Sequence, residues 1–162
     1  MPDRPLRIAI LTCSDTRAAG TAEDTAGPAL IELAGKQGWE VVDYRIRPDD
    51  RAVIAETIVE VADVVGADVL LTCGGTGFSP RDVTPEATLD ACDRLAPGIA
   101  EAIRAQSMVV TRRAMLSRAT AALRGTTLVI NMPGSEKATR ETFGFVADQL
   151  EHGVEMMAGG GH

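Results

Sequence analysis

The segment that most constrains this chain is a strand that runs into glycines and emerges as a capped helix. The apolar run Val69-Leu70-Leu71 leads into Thr72-Cys73-Gly74-Gly75-Thr76-Gly77, followed by Phe78-Ser79-Pro80-Arg81-Asp82-Val83. Thr84-Pro85-Glu86 then carries the marks of a helix start: Thr as N-cap, Pro at the first position, an acid in the first turn. The glycines free the backbone to take positive φ and to turn several N–H groups toward one point. Such a concave set of amides is an anion site, usually for phosphate. Arg81 adds a planar donor fork suited to phosphate or carboxylate, and Asp82 can hold a metal ion or take a proton. The spacing matches neither the P-loop nor the dinucleotide fingerprint. The plain alternative is a glycine-rich connection after a buried strand.

The flanking sequence repeats the strand–helix alternation. Arg7-Ile8-Ala9-Ile10-Leu11-Thr12-Cys13 is nearly continuous apolar chain, the pattern of a strand buried on both faces. A polar loop covers 14–24. Leu30, Ile31, Leu33 and Ala34 make a helical stripe over 28–37, with Gly38 as its stop. Over 39–47, Val42, Tyr44 and Ile46 alternate with Asp43, Arg45 and Arg47, which predicts a strand. Asp49 or Asp50 caps a helix with Ile54, Ile58, Val61 and Val65 on one face. The third strand covers 69–72. After the glycine loop, helices are predicted over 85–92 and 98–106, broken at Pro97-Gly98. Residues 114–117 fit no single element. Strands over 119–123 and 126–131 join at Arg124-Gly125. Ser135 caps a last helix with Phe143, Val146 and Leu150 among its apolar face, and 159–162 are expected to fray. The order predicts an α/β fold, a three-layer sandwich with a mostly parallel central sheet flanked by helices. No linker or repeat interrupts it, so residues 1–162 read as a single domain.

Composition narrows the function classes. Aromatics are 3% of the 162 residues, so Ala, Val, Ile and Leu must build the core. A formal net charge of −7 argues against broad nucleic-acid or anionic-membrane binding, but not against an anionic small molecule held by local arginines and amides. No apolar run approaches the ~20 residues that span a bilayer, and no leader pattern opens the chain, so a cytoplasmic location is expected. Cys13, Cys73 and Cys92 lack metal-site spacing and read as unpaired thiols, the first two buried.

In open α/β sheets, ligands bind outside the carboxyl ends of the strands. Ser14-Asp15, Asp49, the glycine loop and Asn131-Met132-Pro133-Gly134 all follow strand ends, so four polar loops should converge on one edge. There Ser14 and Asp15 become ligand contacts, and Asn131, Pro133 and Gly134 combine a turn into a capped helix with a place beside the ligand. From spacing alone Asp49 is a helix cap, Ser117-Arg118 a solvated turn, and Arg112-Arg113 a solvated charge pair.

The continuation Arg81-Asp82-Val83-Thr84-Pro85-Glu86-Ala87 makes the loop resemble the signature of the molybdenum cofactor biosynthesis family, which includes molybdopterin adenylyltransferases and the G domain of gephyrin. Three more segments resemble the family's in order and spacing: Ser14-Asp15-Thr16, Pro48-Asp49-Asp50 and Asn131-Met132-Pro133-Gly134. The resemblance runs over about 7–157. It implies adenylation of molybdopterin by Mg-ATP, giving adenylated molybdopterin and pyrophosphate. It makes Asp49 and Asp82 the catalytic aspartates and Mg²⁺ ligands, and Gly74, Gly75, Thr76 and Gly77 the phosphate cradle. Leu116-Ser117-Arg118-Ala119 resembles the family's Leu-Ser-Arg-Ala, which places Ser117 and Arg118 at the border of the pterin pocket. A trimer or hexamer, and the molybdate-inserting enzyme of the pathway as a partner, are implied as well. One departure stands out: Asp24-Thr25-Ala26-Gly27 has Ala where the family often has Ser. Two other readings are a non-catalytic molybdopterin-binding assembly protein and a nucleotide pyrophosphatase related to competence-associated proteins.

Overall fold

Residues 3–160 are described in a computed structural model. Six strands form one sheet: β1 (Arg7–Cys13), β2 (Glu40–Arg47), β3 (Val69–Cys73), β4 (Arg94–Leu95), β5 (Ala121–Arg124) and β6 (Thr127–Met132). Their order is β2-β1-β3-β6-β5-β4. The first four in that order run parallel; β5 and β4 run antiparallel to their neighbours. The helices are α1 (Asp15–Ala18), α2 (Ala26–Lys36), α3 (Arg51–Glu60), α4 (Thr84–Ala91), α5 (Pro97–Val110) and α6 (Glu136–Met157). The mostly parallel sandwich expected from sequence is the observed fold.

The sheet is buried because its central strands are apolar on both faces. Successive β1 residues point to opposite sides. Ile8 and Ile10 join Leu30, Val69, Leu71, Ile130, Phe143 and Leu150 on the side of α2 and α6. Ala9, Leu11 and Cys13 join Ile54, Ile58, Leu70, Ala87 and Val129 on the side of α3 and α4. With few aromatics, one ring pair carries weight: Trp39 meets Phe143 at 5.8 Å between centroids, and its indole N–H donates to Glu151 at 2.9 Å.

Several elements differ from the sequence expectation for physical reasons. The loop expected over 14–24 opens with the single turn α1, too short for a periodic signal. The helical face through Val65 breaks because Val61–Val65 widens into a π-helix, closed by left-handed Gly66. β4 is only two exposed residues, invisible to any pattern, yet it completes the sheet edge. α5 runs one turn past 106, and Arg112–Leu116 resolves the ambiguous stretch as a 3-10 turn. Of the four residues expected to fray, Gly159 and Gly160 instead close α6, donating to the carbonyls of Met156 and Glu155 at 3.0 Å each. Gly159 has φ +90°, which lets the chain turn back on the helix. Gly161 and His162 lie outside the described residues.

The core assignment is testable at Ile130, in the middle of β6 and fully buried. Ile130→Ala should lower the unfolding free energy by about 3 kcal/mol through lost burial and an unfilled cavity. In thermal denaturation that is a fall in Tm of roughly 6–12 °C for a chain of this size. A fall below about 1 °C would contradict the packing described.

Candidate active site

The carboxyl ends of β1, β3 and β6 lie side by side, with Thr12 opposite Cys73 and Cys73 opposite Met132. Their loops touch through backbone. Gly74 has φ +93°, and a Cβ built on it would come 2.6 Å from the Cys13 carbonyl oxygen. A Cβ on Gly134 would come 3.4 Å from Gly74 Cα. A Cβ at Gly134 would make ordinary van der Waals contact with the glycine loop, whereas Gly74 leaves no room for one. Gly75 has φ +70°, and its missing side chain would collide with Thr84 Oγ1 and lie 3.2 Å from Asp49 Oδ1. A Cβ on Gly77 would lie 2.9 Å from Asp82 Oδ2, because the Asp82 carboxylate folds back to accept from the Ser79 amide at 3.1 Å.

Asp49 and Asp15 are joined reciprocally. The Asp15 N–H donates to Asp49 Oδ2 and the Asp49 N–H to Asp15 Oδ1, each at 3.0 Å. Arg81 then binds Asp15 through two parallel bonds of 2.9 Å. Arg81 therefore bridges the signature to the Ser14-Asp15 loop while its side chain stays 63% exposed. Ser14 caps α1 by accepting from the Arg17 amide at 3.3 Å. Asp50, not Asp49, is the cap of α3, accepting from Val53 at 3.0 Å. That leaves Asp49 Oδ1 buried without a hydrogen-bond partner among the described residues. Burial raises the Asp49 carboxyl above its ordinary pKa, the charges of Asp15 and Asp82 add to that, and the Asp15 amide and Arg81 oppose it. Arg81, helped by the Asp49 amide, holds the Asp15 carboxyl below its ordinary range.

Arg118 fastens the glycine loop from behind. Its Nε donates to the Gly77 carbonyl at 2.8 Å, Nη2 to the Asp82 carbonyl at 2.7 Å, and both Nη atoms to Glu86 at 2.7 and 3.0 Å. Its amide donates to the Thr76 carbonyl at 2.8 Å. The solvated turn suggested by spacing is a clasp. Asn131 is likewise committed: its amide group donates to Thr72 and Thr88 at 3.0 Å each, and its oxygen accepts from the Thr120 amide at 3.1 Å.

Beside the loop lies a cavity of about 220 Å³ between α5, the 3-10 turn and α6. Thr76, Ser117, Asn131 and Pro133 contribute to its lining, as do Arg113 and Glu141; Arg118 does not. Arg104, also in the lining, donates to the Ala119 carbonyl at 2.6 Å. Spacing gave no sign of Arg104 or Glu141. Arg113 of the expected solvated pair faces the cavity, and Glu86, read only as a first-turn acid, anchors the clasp.

The chain matches the family model described as "Probable molybdopterin binding domain" over residues 9–152. It belongs to that family. The molybdopterin adenylyltransferase of Escherichia coli is 38% identical over 156 residues, covering 92% of this chain and 80% of that protein. The molybdenum cofactor synthesis protein cinnamon of Drosophila melanogaster is 38% identical over 154 residues, 94% of this chain, and the chain spans only 26% of that protein's length. A solved structure of the molybdopterin biosynthesis enzyme MoaB from Thermus thermophilus superposes with TM-score 0.89 at 41% identity, covering 95% of this chain and 97% of that one.

At Ala26, where the resemblance implies Ser, no side-chain hydroxyl caps α2: Thr25 occupies the N-cap without a side-chain bond. Asp24 is held instead by Thr12 Oγ1 at 2.7 Å, by the Tyr44 hydroxyl and by the Gly27 amide at 3.2 Å.

The residues suit a divalent ion. Asp49 Oδ1 is a buried acceptor with no partner, and the Asp82 charge is close enough to act on it. No group of three or more His, Cys, Asp or Glu side chains is placed to hold a metal among the described residues. Mg²⁺ commonly binds through one or two carboxylates with substrate phosphates and water completing the shell.

Two outcomes follow. Gly75→Ala should cost roughly 1–3 kcal/mol of stability through positive φ and the contact with Thr84, and weaken ATP binding at least about tenfold, ~1.4 kcal/mol. Pairing it with Thr84→Ala should recover part of the stability, read by urea unfolding as a double-mutant cycle. Strict additivity would mean the contact is not made. For Asp49 the fold raises the carboxyl pKa, so the folded chain holds that proton more tightly than the unfolded chain. The group's stabilisation is full below the unfolded value near pH 4 and is lost as pH rises through the folded value. Asp49→Asn should therefore hold or raise Tm at pH 7, with the gain vanishing near pH 4, while ligand-dependent activity falls. A clear loss of Tm at pH 7 would show that the charged form stabilises the fold.

Proposed function

We propose that this chain adenylates molybdopterin. A terminal phosphate oxygen of molybdopterin bonds to the α-phosphorus of ATP, the bond to the β-phosphate oxygen breaks, and pyrophosphate leaves. One observation carries this reading: the wall of the cavity includes Thr76 of the glycine loop, and the same loop packs on the unpartnered oxygen of Asp49. A ring system and a nucleotide phosphate can thus lie on either side of one strand-end loop. Relatives that cover most of their own length and carry the name molybdopterin adenylyltransferase support it.

Such a displacement needs alignment and charge neutralisation more than a covalent nucleophile. The glycine-loop amides receive phosphate oxygens. Arg81, exposed at the rim, can share its guanidinium between Asp15 and a phosphate. Asp49 and Asp82 would hold Mg²⁺, which would supply positive charge to the phosphates. The thiols at the same edge are not poised to attack: burial pushes Cys13 up to about 12 and raises Cys73 further. The cytoplasm, a trimeric or hexameric assembly, a single functional domain and delivery to a molybdate-inserting enzyme complete the proposal. In keeping with it, no helix among the described residues is long and apolar enough to cross a membrane.

The decisive assay incubates purified protein with molybdopterin and Mg-ATP and follows pyrophosphate and adenylated product, with ADP-ribose as a parallel substrate. Turnover of ADP-ribose alone would mark a pyrophosphatase, and molybdopterin binding without turnover an assembly protein. Turnover should stop in chelator. Asp49→Asn and Asp82→Asn should each lose at least about a hundredfold, and the double variant much less than the product of the two, because residues acting as one unit are non-additive. Multiplicative losses, or full activity in chelator, would remove the shared metal site.

A further inference from the structure

We infer that Glu141 reads the aminopyrimidinone edge of the pterin and so determines which bicyclic ring the cavity accepts. This rests on the function proposed above and adds the recognition element to it. Among the described residues lining the cavity, Glu141 supplies the one carboxylate. It lies one and a half turns into α6, on the face that also presents Ala138 and Thr142 to the cavity. Among the described residues no hydrogen bond reaches its oxygens; its ion-pair partner is Lys137, one turn earlier, with Nζ 3.8 Å away. Glu141 is two-thirds covered while Lys137 is 83% exposed, so this ion pair is a solvated surface pair of little strength and leaves the carboxylate free to accept.

Two of the other polar residues in the lining are already engaged. Asn131 spends its amide inside the sheet, and Arg104 donates to the Ala119 carbonyl. An uncommitted carboxylate on a largely apolar wall fixes the orientation of whatever ring enters. A pterin offers a match: its 2-amino group and N3–H are two parallel donors, and a carboxylate accepts both at once with charge assistance. A 2,4-dioxo pteridine of the same size presents a carbonyl in place of the amino group, so the carboxylate would face an acceptor. Sites built around a hydrogen bond reject analogues that lack it, because the buried group is left unpaired. With Thr76 of the phosphate loop in the same lining, a ring held at Glu141 lies against that loop.

The experiment titrates the full chain with a 6-hydroxymethyl pterin and with its 2,4-dioxo analogue, following ligand fluorescence. ATP affinity and Tm serve as controls. Wild type should prefer the pterin by roughly 10- to 100-fold, the range for a hydrogen bond to a charged group. Glu141→Gln should bring the two ligands within about threefold of each other, or reverse the order, because the glutamine amide donates to the carbonyl of the analogue. ATP affinity and Tm should not change. A preference kept in Glu141→Gln, or absent in wild type, overturns this inference and leaves the adenylation reading intact if molybdopterin is still turned over. A wild-type chain that binds no molybdopterin overturns both.

Discussion

The ligand edge depends on contact between backbones. β1, β3 and β6 end level, and the Gly74 amide donates to the Met132 carbonyl at 3.1 Å while its α-carbon lies against Cys13 and Gly134. A side chain at Gly74 would hold these loops apart. Because the loops touch, the glycine amides, Asp49 and the cavity become neighbours. Arg118 then makes the arrangement rigid by tying the loop's carbonyls to Glu86 on α4. A preorganised anion site requires that kind of rigidity, since donors that must be ordered on binding lose affinity.

Charge is distributed with the same logic. The chain is acidic overall, yet its arginines at this edge are not spread over the surface. Arg118 and Arg104 are turned inward onto carbonyls, and Arg81 is held by Asp15 at the rim. Asp49 is kept partly buried beside two other carboxylates, with its pKa raised by that environment. This costs stability in the free protein and is offset by the apolar sheet behind it. Raised and lowered carboxyl pKa values side by side, as at Asp49 and Asp15, are a recurrent mark of functional sites.

Much of this was legible in the chain. The apolar runs of β1, β3 and β6, the Ser135 cap and the glycine loop each carry a local signal strong enough to place an element. Asp49, Asp82 and the loop glycines were legible as candidate site residues through the motif that contains them. Spacing left both Asp49 and Asp50 as caps, with Asp50 the simpler of the two, and the structure shows that Asp50 is the one that bonds to Val53. Arg118 looked like a solvated turn because its partners, Gly77, Asp82 and Glu86, lie more than thirty residues away.

The sequence by itself determined the layered α/β fold and the edge at which the candidate site residues gather, because hydrophobic period, caps and glycine turns act over a few residues. Only the tertiary structure decided which polar groups stay free. Ser14, Asn131 and Arg118 spend their side chains on the fold, while Asp49 Oδ1 and Glu141 keep an acceptor open. Free and committed groups have the same letters in sequence. They differ only in whether a donor from a distant segment arrives within hydrogen-bonding reach, and that is settled when the sheet brings those segments together.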